Sequence, residues 1–146
     1  MIIKRWLQRI LSVFFLLLLL GCNGGKPPIS LAPTGEWVKK AIALQVRQSQ
    51  ELLSENLKVS NPDLKISGIS IQKIEPLYMA HLPTFHITGS YNLEIDLPNQ
   101  KVKQKSNLFD IFLQRQKEGK TWRWLKKEIL NSEDKPIWKT YLVRPY

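Results

Sequence analysis

Between Phe85 and Leu97 the two residue classes alternate without a break. Phe85, Ile87, Gly89, Tyr91, Leu93, Ile95 and Leu97 share one parity, with His86, Thr88, Ser90, Asn92, Glu94 and Asp96 between them. Successive side chains of a β-strand point to opposite faces, so this run describes a strand with one face on a core and the other in water. Wound as a helix, the same residues would scatter their apolar groups around the cylinder. Single-faced strands belong to antiparallel sheets, and the apolar face of such a sheet needs a second layer to cover it.

The flanking segments supply the rest of that sheet. Pro98-Asn99 turns the chain, and Val102 to Gln114 returns with Phe109, Ile111 and Leu113 on one parity. Lys117-Glu118-Gly119-Lys120 reads as a hairpin turn leading to Thr121–Leu125. There Trp122 and Trp124 share a face, and the apolar parity of the preceding strand favours their burial. Ile137–Val143 forms a last strand after a charged loop through Asp134-Lys135-Pro136. Upstream, Leu64–Ile74 carries Ile66, Ile69, Ile71 and Ile74, whose parity changes near Gly68 and predicts a bulge there.

One segment can cover this sheet. Glu36 to Leu57 lacks proline and glycine, and Trp37, Ala41, Leu44 and Leu52 recur at helical spacing, with Thr34 as N-cap and Asn61-Pro62-Asp63 as a stop. The predicted fold is α+β, one long N-terminal helix packed on a curved antiparallel sheet of four to five strands. By element order it resembles cystatin-like and NTF2-like α+β domains. A single helix, where NTF2-like domains carry two or three, favours the cystatin-like roll.

Ahead of this domain, Lys4, Arg5 and Arg9 precede the apolar stretch Ile10–Leu20, and the block closes on Leu19-Leu20-Gly21-Cys22 with the chain's only cysteine. The stretch is shorter than the ~20 residues that span a bilayer as a helix. It resembles a bacterial lipoprotein signal with its lipobox; an uncleaved signal anchor is the competing reading. The resemblance implies cleavage before Cys22, a diacylglyceryl group on its thiol, and a domain held to a bacterial membrane on the extracytoplasmic side. Asn23, where inner-membrane lipoproteins often carry aspartate, permits another destination. The chain then divides into a signal peptide at 1–21, a flexible glycine- and proline-rich tether at 22–35, and a single α+β domain at 36–146.

Charge and composition narrow the chemistry. Loss of the leader removes three of 22 basic residues and none of 12 acidic ones, lowering the formal charge from +10 to +7. With Cys22 lipidated no thiol remains, so no disulfide forms and packing alone stabilises the domain. Export and the absence of a reading motif argue against nucleic acid despite the basic balance. His81 and His86 are the only histidines, and zinc takes three or four ligands, so a metal site would need carboxylates from another strand. No serine or cysteine nucleophile is marked by a motif. The expectation is a protein without metal, cofactor or enzymatic activity.

Several residues point to contact surfaces instead. Tyr78, Met79 and His81 place apolar and aromatic groups in the expected connection between the first two strands. Lys103 and Lys105, with Lys101, share a parity near Arg123 and predict a positive face; Trp138 and Tyr141 lie on opposite parities, so one of them faces outward. The plainer readings are a hairpin end capping the core and a lysine-rich edge that discourages strand addition. The functional expectation is docking on, or assistance to, a membrane protein complex, with membrane lipid engaged through Cys22. The alternatives are a pocket inside the curled sheet that binds or turns over a small apolar ligand, and a spacer.

Overall fold

A computed structural model describes residues 1–19, 25–57, 62–130 and 135–145. The elements run α1 (Ile2–Leu19), a 3-10 turn (Ile29–Leu31), α2 (Gly35–Leu57), β1 (Asp63–Met79), β2 (Leu82–Leu97), β3 (Gln100–Arg115), β4 (Trp122–Glu128) and β5 (Ile137–Val143). The strands form one open antiparallel sheet in the order β1-β2-β3-β4-β5, each pairing with the next. The fold is therefore α+β with two helices among the described residues. The expectation of one long N-terminal helix is corrected. The N-terminal helix is α1, and the helix packed on the sheet is the second. No helix among the described residues is long and apolar enough to cross a membrane.

Helix α2 lies against β1, β3 and β5. Its buried centre is Val38, Ala41 and Ile42, all at 0% exposure, while Trp37 and Leu44 are half-buried and Leu52 is exposed. Of the expected stripe Trp37, Ala41, Leu44 and Leu52, Ala41 is at the buried centre and the rest is rotated away, because a step of three and then one residue places Val38, Ala41 and Ile42 on one line. Beneath them lie Phe85, Ile87, Ile111, Leu113, Trp122, Trp124 and Val143. Each such side chain withdrawn from water contributes about 1.5–3 kcal/mol. The helix begins where the Thr34 carbonyl accepts the N–H groups of Trp37 and Val38.

The second half of the segment read as a tether carries structure. Pro27 and Pro33 are buried, and Leu31 and Ala32 pack against the core cluster. The packed body thus extends back to Pro27, ahead of the helix.

The long strands are bent by bulges. Pairing of β1 with β2 shifts register between Ser67 and Ser70, at Gly68 with φ +59°, and again between Ile71 and Lys73. Pairing of β2 with β3 shifts between Tyr91 and Leu93, opposite Ser106 with φ +55°. A left-handed residue extends one strand by one position and raises local twist. At Gly89 the strands approach so closely that a Cβ would collide with the Ser70 carbonyl, and the Phe109 ring fills the space above.

The connection expected at 75–84 is corrected too. Strand β1 continues to Met79 through Pro76, and Ala80-His81 alone form the turn, with Met79 paired to Leu82. Proline survives there because β1 is an edge strand, where a ladder N–H can be missing on the open side.

Candidate functional site

With α2 on one side, the opposite face of the sheet carries no helix from α2. One row crosses all five strands on that face through the pairs Glu75–His86, His86–Phe112, Phe112–Leu125 and Leu125–Thr140. His86 stands second in it, between Glu75 and Phe112. Nδ1 lies 3.1 Å from Glu75 Oε2 on β1, and Nε2 lies 2.7 Å from Asp110 Oδ1 on β3. An imidazolium donates to both carboxylates, whereas a neutral ring donates to only one. The Glu75 carboxyl is held below its ordinary range, first by a hydrogen bond from Lys73 and further by His86.

The imidazole stacks on Phe112, with centroids 4.2 Å apart and planes at 3°. Trp138 from β5 meets the same phenyl ring edge-on at 5.0 Å and 72°. Aromatic pairs at this spacing contribute about 0.5–1.5 kcal/mol beyond area burial. Between them Leu125 is buried, at 5% exposure. The result is a firm apolar-aromatic strip, flanked by charge and built from three different hairpins. No group of three metal-binding side chains occurs among the described residues.

The predicted residues fall at separate places. Cys22 lies outside the described residues. Tyr78 is exposed near the end of β1, and the Met79 carbonyl accepts a 2.9 Å hydrogen bond from Gln114 Nε2. His81 is exposed in the turn with φ +62°. Lys103 and Lys105 sit on β3 near the opposite hairpin, so the two expected surfaces do not meet. The positive character of Lys103, and of Lys101 on the same strand, is reduced by neighbours on β2, with Lys103 3.6 Å from Glu94 and Lys101 3.3 Å from Asp96. Arg123 and Trp138 do share the helix-free face, where Arg123 Nη1 donates to Thr140 Oγ1 at 3.3 Å.

Phe112 and Glu75 were not among the sequence candidates. The available signal was Phe112 itself, an aromatic out of phase with Phe109, Ile111 and Leu113.

On the helix side, a cleft of about 330 Å³ opens between α2 and the end of β5. Lys40, Ala43, Leu44 and Arg47 form one wall, and the run Leu142–Pro145 forms the other. Lys40 Nζ also stands 5.0 Å from the Trp37 ring centroid. A second cleft, about 220 Å³, shares Lys40, Ala43 and Arg47 with the first and lies beside Glu36, Leu64 and Ile66. The core beneath the helix is filled by the two tryptophans and Phe85, and the space available to a ligand lies along the helix flanks.

Compared with known proteins, the chain matches no family model, no curated protein and no solved structure.

Proposed function

We propose that the chain is a non-enzymatic lipoprotein of the bacterial envelope, fixed to a membrane by lipid on Cys22. Its extracytoplasmic domain docks on a membrane protein complex through the helix-free sheet face. The observation that carries this reading is the Phe112–Trp138 pair, two rings set edge-to-face on the side of the sheet away from α2. Aromatic groups held rigid by their neighbours give large contact area at small entropic cost on binding, which is the character of interface anchors. Arg123 beside them adds a cation and hydrogen-bond donors. No cofactor and no nucleic acid enter this function. The bends in β1, β2 and β3 support describing the fold as a cystatin-like roll.

The position of Pro27 bears on how the domain meets its partner. It lies five positions after Cys22, and a fully extended chain of that length reaches at most roughly 18 Å. A body that starts at Pro27 is therefore kept close to the membrane surface, which suits a membrane-embedded partner.

The test is recovery of the tagged, lipidated chain from native membranes in mild detergent, with quantitative mass spectrometry of what accompanies it. A stoichiometric membrane partner is expected, lost on Trp138→Ala with Phe112→Ser while the chain stays folded by circular dichroism. Equal recovery with the double variant would overturn the assignment of the face. Normal lipid labelling of Cys22→Ser would overturn the anchor.

A further inference from the structure

We infer that the free edge of β5, together with the cleft between β5 and α2, receives an extended acidic segment of a partner protein as a sixth strand. This rests on the docking reading above and names a second contact surface for it. The two edges of the sheet are treated differently by the sequence. On β1, Pro76 removes a ladder N–H, two register shifts break the line of peptide groups, and Lys65 projects into water. These are the devices that keep a strand edge from pairing. On β5 the first two are absent. Its residues pair with β4 without a shift from Val143 to Ile137, it contains no proline, and its one lysine, Lys139, is held by Glu128 at 2.7 Å. No strand lies beyond β5 among the described residues.

The chemistry of the adjoining cleft selects the occupant. A strand laid on β5 sends every second side chain toward α2. There it meets Ala43, Leu44 and Val143 on the floor, with Lys40, Arg47 and Arg144 around them and no carboxylate among the described lining residues. Short apolar side chains fit the floor, and carboxylates fit the rim, where a guanidinium offers two parallel donors. On the other face, exposed Leu142 and half-buried Trp138 extend the apolar contact. A second copy of this chain is a poor occupant. The β5 segment and Arg144 after it carry only positive formal charge, so two such edges repel.

The experiment uses the full-length chain in detergent micelles, with a blocked heptapeptide that alternates valine and glutamate and a counterpart that alternates valine and lysine. Amide hydrogen exchange is followed along every strand. At ten times its Kd the acidic peptide should slow exchange of the outward β5 amides roughly tenfold. The basic peptide should leave them unchanged. Arg47→Glu with Arg144→Glu should abolish the protection while core amides of β2 and β3 exchange as before, showing an intact fold. The proposal is overturned if the acidic peptide gives no β5 protection, if both peptides protect equally, or if protection falls on β1. It is equally overturned if β5 becomes protected without peptide as protein concentration rises, which would identify a second copy as the occupant. Loss of β5 protection alongside a Trp138-dependent membrane partner would reject this surface and leave the docking reading standing. Peptide binding without such a partner would do the reverse.

Discussion

Asn92 lies against Gly68 so closely that a Cβ placed on residue 68 would stand 2.5 Å from Asn92 Nδ2. The same side chain accepts the backbone N–H of Ser106 through Oδ1 at 3.0 Å. One amide on β2 thus sits between a left-handed glycine on β1 and a left-handed serine on β3, and joins the two bulges into a single bend across three strands. That bend separates the lysine-bearing end of the sheet from the five-stranded end that carries Phe112 and Trp138.

Gly68→Ala should lower stability by about 1–3 kcal/mol, from left-handed strain and the contact with Asn92. Asn92→Ala should cost about 1 kcal/mol by removing the acceptor for Ser106. Because removing the Asn92 amide also relieves the contact at 68, the double variant should lose less than the two changes added. Urea denaturation of the three variants measures the coupling, and strict additivity would show that the two positions do not interact.

The turn between β1 and β2 places Ala80 at φ +50° and His81 at φ +62°. Two-residue turns of this kind favour Asn-Gly, since both central residues are left-handed. Ala80→Asn with His81→Gly should raise stability by roughly 1 kcal/mol. The check is a higher urea midpoint with an unchanged denaturant slope. A lower midpoint would mean that His81 makes a stabilising contact which outweighs its backbone strain.

Leu31 packs against the core from a segment ahead of α2. Leu31→Ala should cost about 1–2 kcal/mol, less than a fully buried leucine because the site is partly open. Thermal unfolding of this variant beside Ile29→Ala, whose side chain is exposed, separates packing from any effect of the turn itself. Equal melting temperatures for the two would show that residues ahead of Thr34 add nothing to the body.

Glu128 and Lys139 join β4 to β5 at 2.7 Å. The Lys139 hydrogen bond pulls the Glu128 carboxyl below its ordinary 4.5, so its support is complete above 4.5 and is lost as pH falls through the lowered value. Glu128 in turn holds the Lys139 ammonium above its ordinary 10.5, giving support that is complete below 10.5 and lost as pH rises through the raised value. Exchange of β5 amides, corrected for intrinsic rates, should therefore be flat between these limits and rise outside them. Glu128→Gln should flatten the acid limb; an unaltered limb would assign it to other carboxylates.

The legible parts of the fold were local ones. Alternation from Phe85 to Leu97 specified β2, the parity change around Gly68 marked the bulge in β1, and Pro98-Asn99 gave a turn that the structure places between β2 and β3. Each depends on neighbours within a few residues, where period and backbone preference act directly. The strand expected to end at Ile74 runs on to Met79 through Pro76, a proline that a strand tolerates at the edge of its sheet, and edge position is not a local property. Neither Leu52 nor the exact stripe of α2 could be placed, because the choice among neighbouring apolar residues on one helix is made by the surface it meets.

The candidate surfaces follow the same division. Composition and order alone determined an α+β domain, a body without cysteine after residue 22 and an excess of positive charge. Tertiary structure decided which charges remain available. Lys101 and Lys103 are compensated by Asp96 and Glu94 across a hairpin, whereas Arg47 and Arg144, far apart in the chain, line one cleft. It also decided that His86 is bound by Glu75 and Asp110, 11 and 24 positions away, and that Phe112 meets Trp138. The physical reason is that periodicity assigns a residue to a face, but partners on that face are chosen by strand register, which depends on bulges and turns summed along the whole sheet.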